Sequence, residues 1–101
     1  MIDISPHHLE IVRRILRKHV PDREVWAFGS RARRAAKPYS DLDLAIITST
    51  PLSFEVSGAL GEDFSDSDLP FRVDIVDWAR TEQAFRRIIE NEKIVVQLGE
   101  K

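Results

Sequence analysis

Hydrophobic positions along the chain follow two rhythms, one helical and one extended. Leu9, Val12, Leu16 and Val20 recur at three- or four-residue spacing and are joined by Ile11 and Ile15, which predicts an amphipathic helix. Ser5-Pro6 supplies a capping hydroxyl and a proline at the first helical position, and Pro21 ends the element. Val25 to Phe28 is a short apolar run that reads as a strand, with Trp26 assigned to the core. The run breaks at Gly29-Ser30. A basic, alanine-rich segment, Ser30 to Ala36, reads as a short helix or helical turn, and Pro38-Tyr39-Ser40 leads into a second strand, Asp41 to Thr48. Leu52, Val56, Leu60 and Phe64, four residues apart, predict a helix from Ser53 to about Asp66, weakened by Gly58 and Gly61. A third strand follows over Phe71 to Val76. Thr81 is the expected cap of a last helix whose apolar stripe is Ala84, Phe85, Ile88 and Ile89. Ile94 to Leu98 can extend that helix or add an edge strand, and the strand is the preferred reading.

Connection lengths convert these elements into a topology. The link between the first two strands is too short for a parallel crossover, so they are expected to be antiparallel. The helix between the second and third strands makes a right-handed βαβ unit with parallel strands. The expected fold is therefore α/β (α+β), a small mixed sheet of three or four strands with helices packed on it, in a single domain over residues 1–101.

The polar residues inside the strands carry the chemistry. Side chains two apart on a strand share a face, so Asp41 and Asp43 are expected side by side, with Leu42, Leu44 and Ile46 on the other face. In the third strand Arg72, Asp74 and Val76 share one face, and Phe71, Val73 and Ile75 the other. If Asp74 faces the same way as Asp41 and Asp43, three carboxylates converge. Like charges crowded into an apolar strand call for a cation, and the hard ion that suits oxygen donors and phosphates is Mg²⁺, or Mn²⁺. Gly29 lets a ligand approach the backbone, Ser30 adds a hydroxyl, and Arg31, Arg33, Arg34 and Lys37 add positive charge for phosphate oxygens. Asp77 is read as a cap or surface residue. His7, His8 and His19 are read as surface residues rather than a metal site, and Asp63, Asp66 and Asp68 as a solvated acidic face.

Composition narrows the classes. The chain has 101 residues, 43% of them hydrophobic and 32% charged, which is globular. A formal charge of −2 argues against a dedicated nucleic-acid binder, and the lack of cysteine excludes disulfide and thiolate chemistry. No secretory leader or membrane-spanning run is evident, so a cytoplasmic location is expected.

Gly29-Ser30-Arg31-Ala32-Arg33, then Ser40-Asp41-Leu42-Asp43-Leu44, then Val73-Asp74-Ile75-Val76-Asp77 closely resemble the motifs of the DNA polymerase β-like nucleotidyltransferases, in their minimal, MNT-type antitoxin branch. The resemblance covers nearly the whole chain. One position departs from it: the family has glycine where this chain has Arg34. The resemblance implies Asp41, Asp43 and Asp74 as catalytic and metal-binding residues for two Mg²⁺ ions, and a nucleotide site at Gly29, Ser30, Arg31 and Arg33. It also implies transfer of AMP from ATP to an acceptor hydroxyl, commonly a tyrosine of a HEPN-type toxin partner. Two other classes stand beside it. One is a binding module that neutralises its partner by contact alone, in which the acidic triad is dispensable. The other is a detached catalytic subunit acting on RNA ends or a small-molecule hydroxyl.

Overall fold

A computed structural model describes residues 2–100. Helix α1 spans Pro6–His19, and the Ser5 hydroxyl accepts the His8 N–H at 3.3 Å, as the Ser-Pro start requires. Strand β1 is Glu24–Phe28, β2 is Leu42–Ile47, and α2 is Phe54–Ser65, with the Ser53 hydroxyl capping through the Val56 N–H. Strand β3 is Val73–Asp77, followed by a 3₁₀ turn over Trp78–Arg80, helix α3 at Gln83–Glu92 and strand β4 at Ile94–Gln97. The strands form one mixed sheet in the order β3-β2-β1-β4. β1 is antiparallel to β2 and to β4, while β2 and β3 run parallel on either side of the α2 crossover. The chain thus has the expected α+β architecture, and the tail is the edge strand rather than a helical extension.

Both faces of the sheet are covered. Val25, Ala27, Leu42, Leu44, Ile46 and Val96 pack against Ile11, Val12, Ile15 and Leu16 of α1 and Leu60 and Phe64 of α2. On the other face Trp26, Phe28 and Ala45 meet Ile89 and Phe85 of α3, with Trp78 beside them. β1 is therefore buried on both sides, which is why its apolar run is continuous rather than alternating. Trp26 is in the core as expected. It packs edge-to-face on Trp78 and carries the Lys93 ammonium over its ring.

Several boundaries differ from the sequence reading. Asp41 lies just outside β2, and β3 starts at Val73 instead of Phe71. The basic segment is a single helical turn, Ser30–Arg34, closed by Ala32 and Arg33 N–H groups on the Gly29 carbonyl. Thr81 does not cap α3. Its hydroxyl donates to the Asp77 carbonyl, and Glu82 holds the cap position without a side-chain bond. Ala84 and Ile88 face outward, leaving Phe85 and Ile89 as the packed positions of α3.

Two polar assignments also change. His19 is largely buried and bonds the Asp63 carboxylate at 2.8 Å, joining α1 to α2. Asp77 takes the cap position of the 3₁₀ turn, one of the two roles expected, but its side chain is largely shielded instead of exposed: the carboxylate accepts from the Thr48 hydroxyl at 2.5 Å and the Leu52 N–H at 2.7 Å, tying the end of β2 to the start of the crossover. Among the described residues no helix is long and apolar enough to cross a membrane.

Candidate active site

Sheet pairing alone brings the three motifs to one place. Because β1 and β2 are antiparallel with Phe28 opposite Asp43, the end of β1 carrying Gly29-Ser30 lies against the start of β2. Because β2 and β3 are parallel with Asp43 opposite Asp74, these carboxylates occupy equivalent positions on neighbouring strands. Alternation then puts Asp43 on the face of Ala45 and Ile47, and Asp74 on that of Val76, which is the α3 side.

Contact at the Gly29 end is tight. Gly29 has φ +76°, and a Cβ there would stand 2.4 Å from Asp43 Oδ2. Only glycine lets the strand end lie against the carboxylate in this backbone conformation. In the turn beyond, the N–H groups of Ser30 and Arg31 have no acceptor among the described residues, leaving two adjacent amide donors beside the acidic cluster.

The electrostatics follow from crowding. Burial, then the charges of Asp74, Asp41 and Glu92, push the Asp43 carboxyl above its ordinary value, and Arg33 offsets them only in part. Arg72, an exposed residue, bridges the outer pair, with Nη2 at 3.1 Å from Asp41 Oδ2 and Nε at 3.5 Å from Asp74 Oδ1. Among the described residues no three histidine or acidic side chains are gathered as a metal-holding group. The guanidinium of Arg72 acts as the local counter-ion instead.

The basic residues divide. Arg31, expected at the phosphates, has its side chain turned inward. Its guanidinium donates to the carbonyls of Asp3, Pro38 and Ser40 and lies 4.1 Å from the centre of the Phe71 ring. Those bonds make it the scaffold of the loop between β1 and β2, so only its backbone N–H remains for a ligand. Arg33 does reach the site, paired with Glu92 at 2.6 Å. Arg34, where the resembled family usually has glycine, adopts φ +59°, which places a non-glycine side chain in the left-handed region. Glu92 was missed by sequence reasoning. It looks like any polar residue at a helix end, and only the pairing of β4 with β1 carries it to Gly29. A cavity of about 420 Å³ lined by Ile15, Lys18, Asp63 and Asp68 lies between α1 and the end of α2, and none of the three strand-associated aspartates lines it.

A mixed sheet that sets a glycine-serine strand end against carboxylates on two parallel strands is the arrangement expected of a nucleotidyltransferase domain. The family described as polymerase beta, nucleotidyltransferase matches residues 10–100. A protein of Haemophilus influenzae called probable protein adenylyltransferase MntA is 54% identical over 100 residues, which is 99% of this chain and 88% of that protein. Among solved structures, a toxin–antitoxin with AMP-PNP superposes with a TM-score of 0.76 at 19% identity, over 91% of this chain and 74% of the other. An MNT antitoxin in complex with tri-AMPylated Shewanella oneidensis HEPN toxin gives 0.71 at 18% identity, over 94% and 73%. At such identities the structural likeness speaks to the fold. This chain belongs to the polymerase β nucleotidyltransferase family, in its minimal branch, and is a nucleotidyltransferase.

Proposed function

We propose that this chain, acting as one nucleotidyltransferase domain in the cytoplasm, transfers AMP from ATP to a hydroxyl of a HEPN-type toxin, most simply a tyrosine, and so serves as that toxin's antitoxin. The observation that carries this reading is the strand register: Asp43 lies opposite Asp74 in one direction and against Gly29 in the other. The 54% identical relative bears the name of a protein adenylyltransferase, which supports the choice of AMP and of a protein acceptor.

The donor set fits Mg²⁺. All three aspartates offer hard oxygen, and the raised proton affinity of Asp43 comes from burial first and then from the like charges of Asp74, Asp41 and Glu92, which a divalent cation would offset. Asp41, Asp43 and Asp74 would hold the ions, displacing the exposed Arg72. Bound there, divalent cations neutralise triphosphate charge and lower the pKa of the attacking hydroxyl. The amides of Ser30 and Arg31, which bond no acceptor among the described residues, would with the Ser30 hydroxyl hold phosphate oxygens. Asp74 receives the acceptor's proton as its oxygen bonds the α-phosphorus. The bond to the β-phosphate breaks and pyrophosphate leaves.

The test is transfer of label from α-³²P-ATP, with Mg²⁺, to a candidate HEPN-type toxin. Asp43→Asn and Asp41→Asn are each expected to lower labelling at least about 100-fold, in line with loss of a group that stabilises charge in the transition state, and to abolish protection from the toxin. Full protection by both variants, with no labelling even by the native chain, would mean neutralisation by contact alone.

A further inference from the structure

The carboxylate of Glu92 is bonded through both oxygens to the loop that carries Ser30. Its Oε1 accepts the Gly29 N–H at 3.0 Å, and its Oε2 accepts from Arg33 Nη1 at 2.6 Å. These donors stand at the two ends of the five-residue stretch Gly29 to Arg33, so a single side chain clamps both ends of the turn. None of the sequence motifs includes Glu92, and its negative charge adds to the crowding at Asp43. A carboxylate kept in that position must contribute something that offsets the repulsion.

Two features make Glu92 a fixed post instead of a swinging gate. Three residues upstream, Ile89 is fully buried under the sheet and anchors the last turn of α3. Two residues downstream, Ile94 pairs with Ala27 of β1, itself two residues before Gly29. The backbone at Glu92 is thus pinned on both sides, with only Lys93 between helix and strand. The carboxylate is also held well in the ionised form. Burial works against the charge, but the bonds from Arg33 and Gly29 outweigh it and keep the carboxyl below its ordinary value.

We infer that Glu92 is a positioning residue for the triphosphate seat: it clamps Gly29 against Asp43 and holds Arg33 at the rim, so that the unpartnered amides of Ser30 and Arg31 are presented to phosphate oxygens. Gly29 cannot itself ligate through its N–H, because Glu92 already occupies that donor. The seat therefore begins at Ser30. This assignment rests on the nucleotidyltransferase reading above and names how its phosphate subsite is built.

The test is binding of AMP-PNP with Mg²⁺ to the full chain, followed by calorimetry, for the native protein and for Glu92→Ala, Glu92→Gln and Arg33→Ala. Absence of binding to the native chain would overturn the nucleotide reading itself. If the native chain binds, Glu92→Ala is expected to weaken affinity about tenfold, the size of effect that loss of one or two charge-assisted hydrogen bonds produces. Glu92→Gln keeps an acceptor for Gly29 and is expected to recover most of that loss. Arg33→Ala in the Glu92→Ala background is expected to cost less than in the native chain, since Arg33 is already released. In turnover assays the Glu92→Ala defect should fall on KM for ATP, with kcat retained within about threefold, whereas simple destabilisation of the fold would move neither in the folded fraction. Affinity unchanged or tightened in both Glu92 variants would overturn the inference, and tightening would show that the carboxylate competes with phosphate. If Glu92→Ala does not fold, Glu92→Asp, whose carboxylate is one methylene too short to span both donors, is expected to show the same weakening, and native-like binding by it would overturn the inference equally.

Discussion

Asp43 carries the sharpest residue-scale consequence of the structure. Its carboxyl holds a proton more tightly in the folded chain than in the unfolded one, first because of burial and then because of Asp74, Asp41 and Glu92. Its contribution to stability is therefore fully present below the ordinary value of 3.8 and is lost as pH rises through its elevated value. Asp43→Asn removes that repulsion at neutral pH. The variant is expected to melt above the native chain at pH 7 even though, on the proposed function, it loses transfer, and the gain should vanish in melts run below pH 3.8. Asp63 behaves oppositely. The bond from His19 lowers its pKa, so its contribution is present above 3.8 and lost as pH falls through the depressed value. Asp63→Ala should destabilise at pH 7, with a deficit that shrinks on acidification.

Arg34 and Gly29 both have positive φ, with different consequences. A left-handed non-glycine residue costs roughly 1–2 kcal/mol, and part of any gain from glycine is returned as unfolded-state entropy, so Arg34→Gly should stabilise by about 0.5–1 kcal/mol in urea titrations. At Gly29 a methyl group meets Asp43 Oδ2 at 2.4 Å. Gly29→Ala should cost about 1–3 kcal/mol and displace the carboxylate on which the proposed transfer depends.

At the scale of elements, α3 separates what periodicity shows from what packing uses. Its stripe of Ala84, Phe85, Ile88 and Ile89 was legible in the sequence, but that stripe is wider than the strip of sheet the helix covers. Ile89 is fully buried, whereas Ile88 is 52% exposed. Ile89→Ala should therefore cost about 2–4 kcal/mol, the range for a buried aliphatic residue, and Ile88→Ala no more than about 0.5 kcal/mol. Guanidinium denaturation of the two variants checks the difference. Capping was legible for α1 and α2, because Ser5 and Ser53 act locally on the next turn. It was not legible for α3, where a 3₁₀ turn intervenes and Thr81 bonds backward to Asp77.

For the whole molecule, the site is open on its outer side. Arg72, whose side chain is 74% exposed, is the counter-ion of Asp41 and Asp74, and a surface ion pair of that kind contributes on the order of 0–1 kcal/mol. It can yield to a divalent cation at little cost. The cavity of about 420 Å³ at the α1–α2 end is not lined by Asp41, Asp43 or Asp74. If a partner completes the site, as the proposed function implies, exposed Tyr39, Phe54 and Leu98 offer it apolar contact area. Labelling of the toxin should consequently exceed labelling of free tyrosine by orders of magnitude under the same conditions.

By itself the sequence determined the main helices and strands, the antiparallel and parallel pairings, and the strands on which Asp43 and Asp74 sit with Asp41 just before the first of them, because period, connection length and local caps act within a few residues of each other. Tertiary structure alone decided that Arg31 turns inward as scaffold while Arg33 faces the site, that the Asp77 side chain is largely shielded, and that Glu92 arrives from 63 residues away to hold Gly29. Charge on a side chain does not say which way it turns. The packing of Phe71 and the pairing of β4 with β1 do.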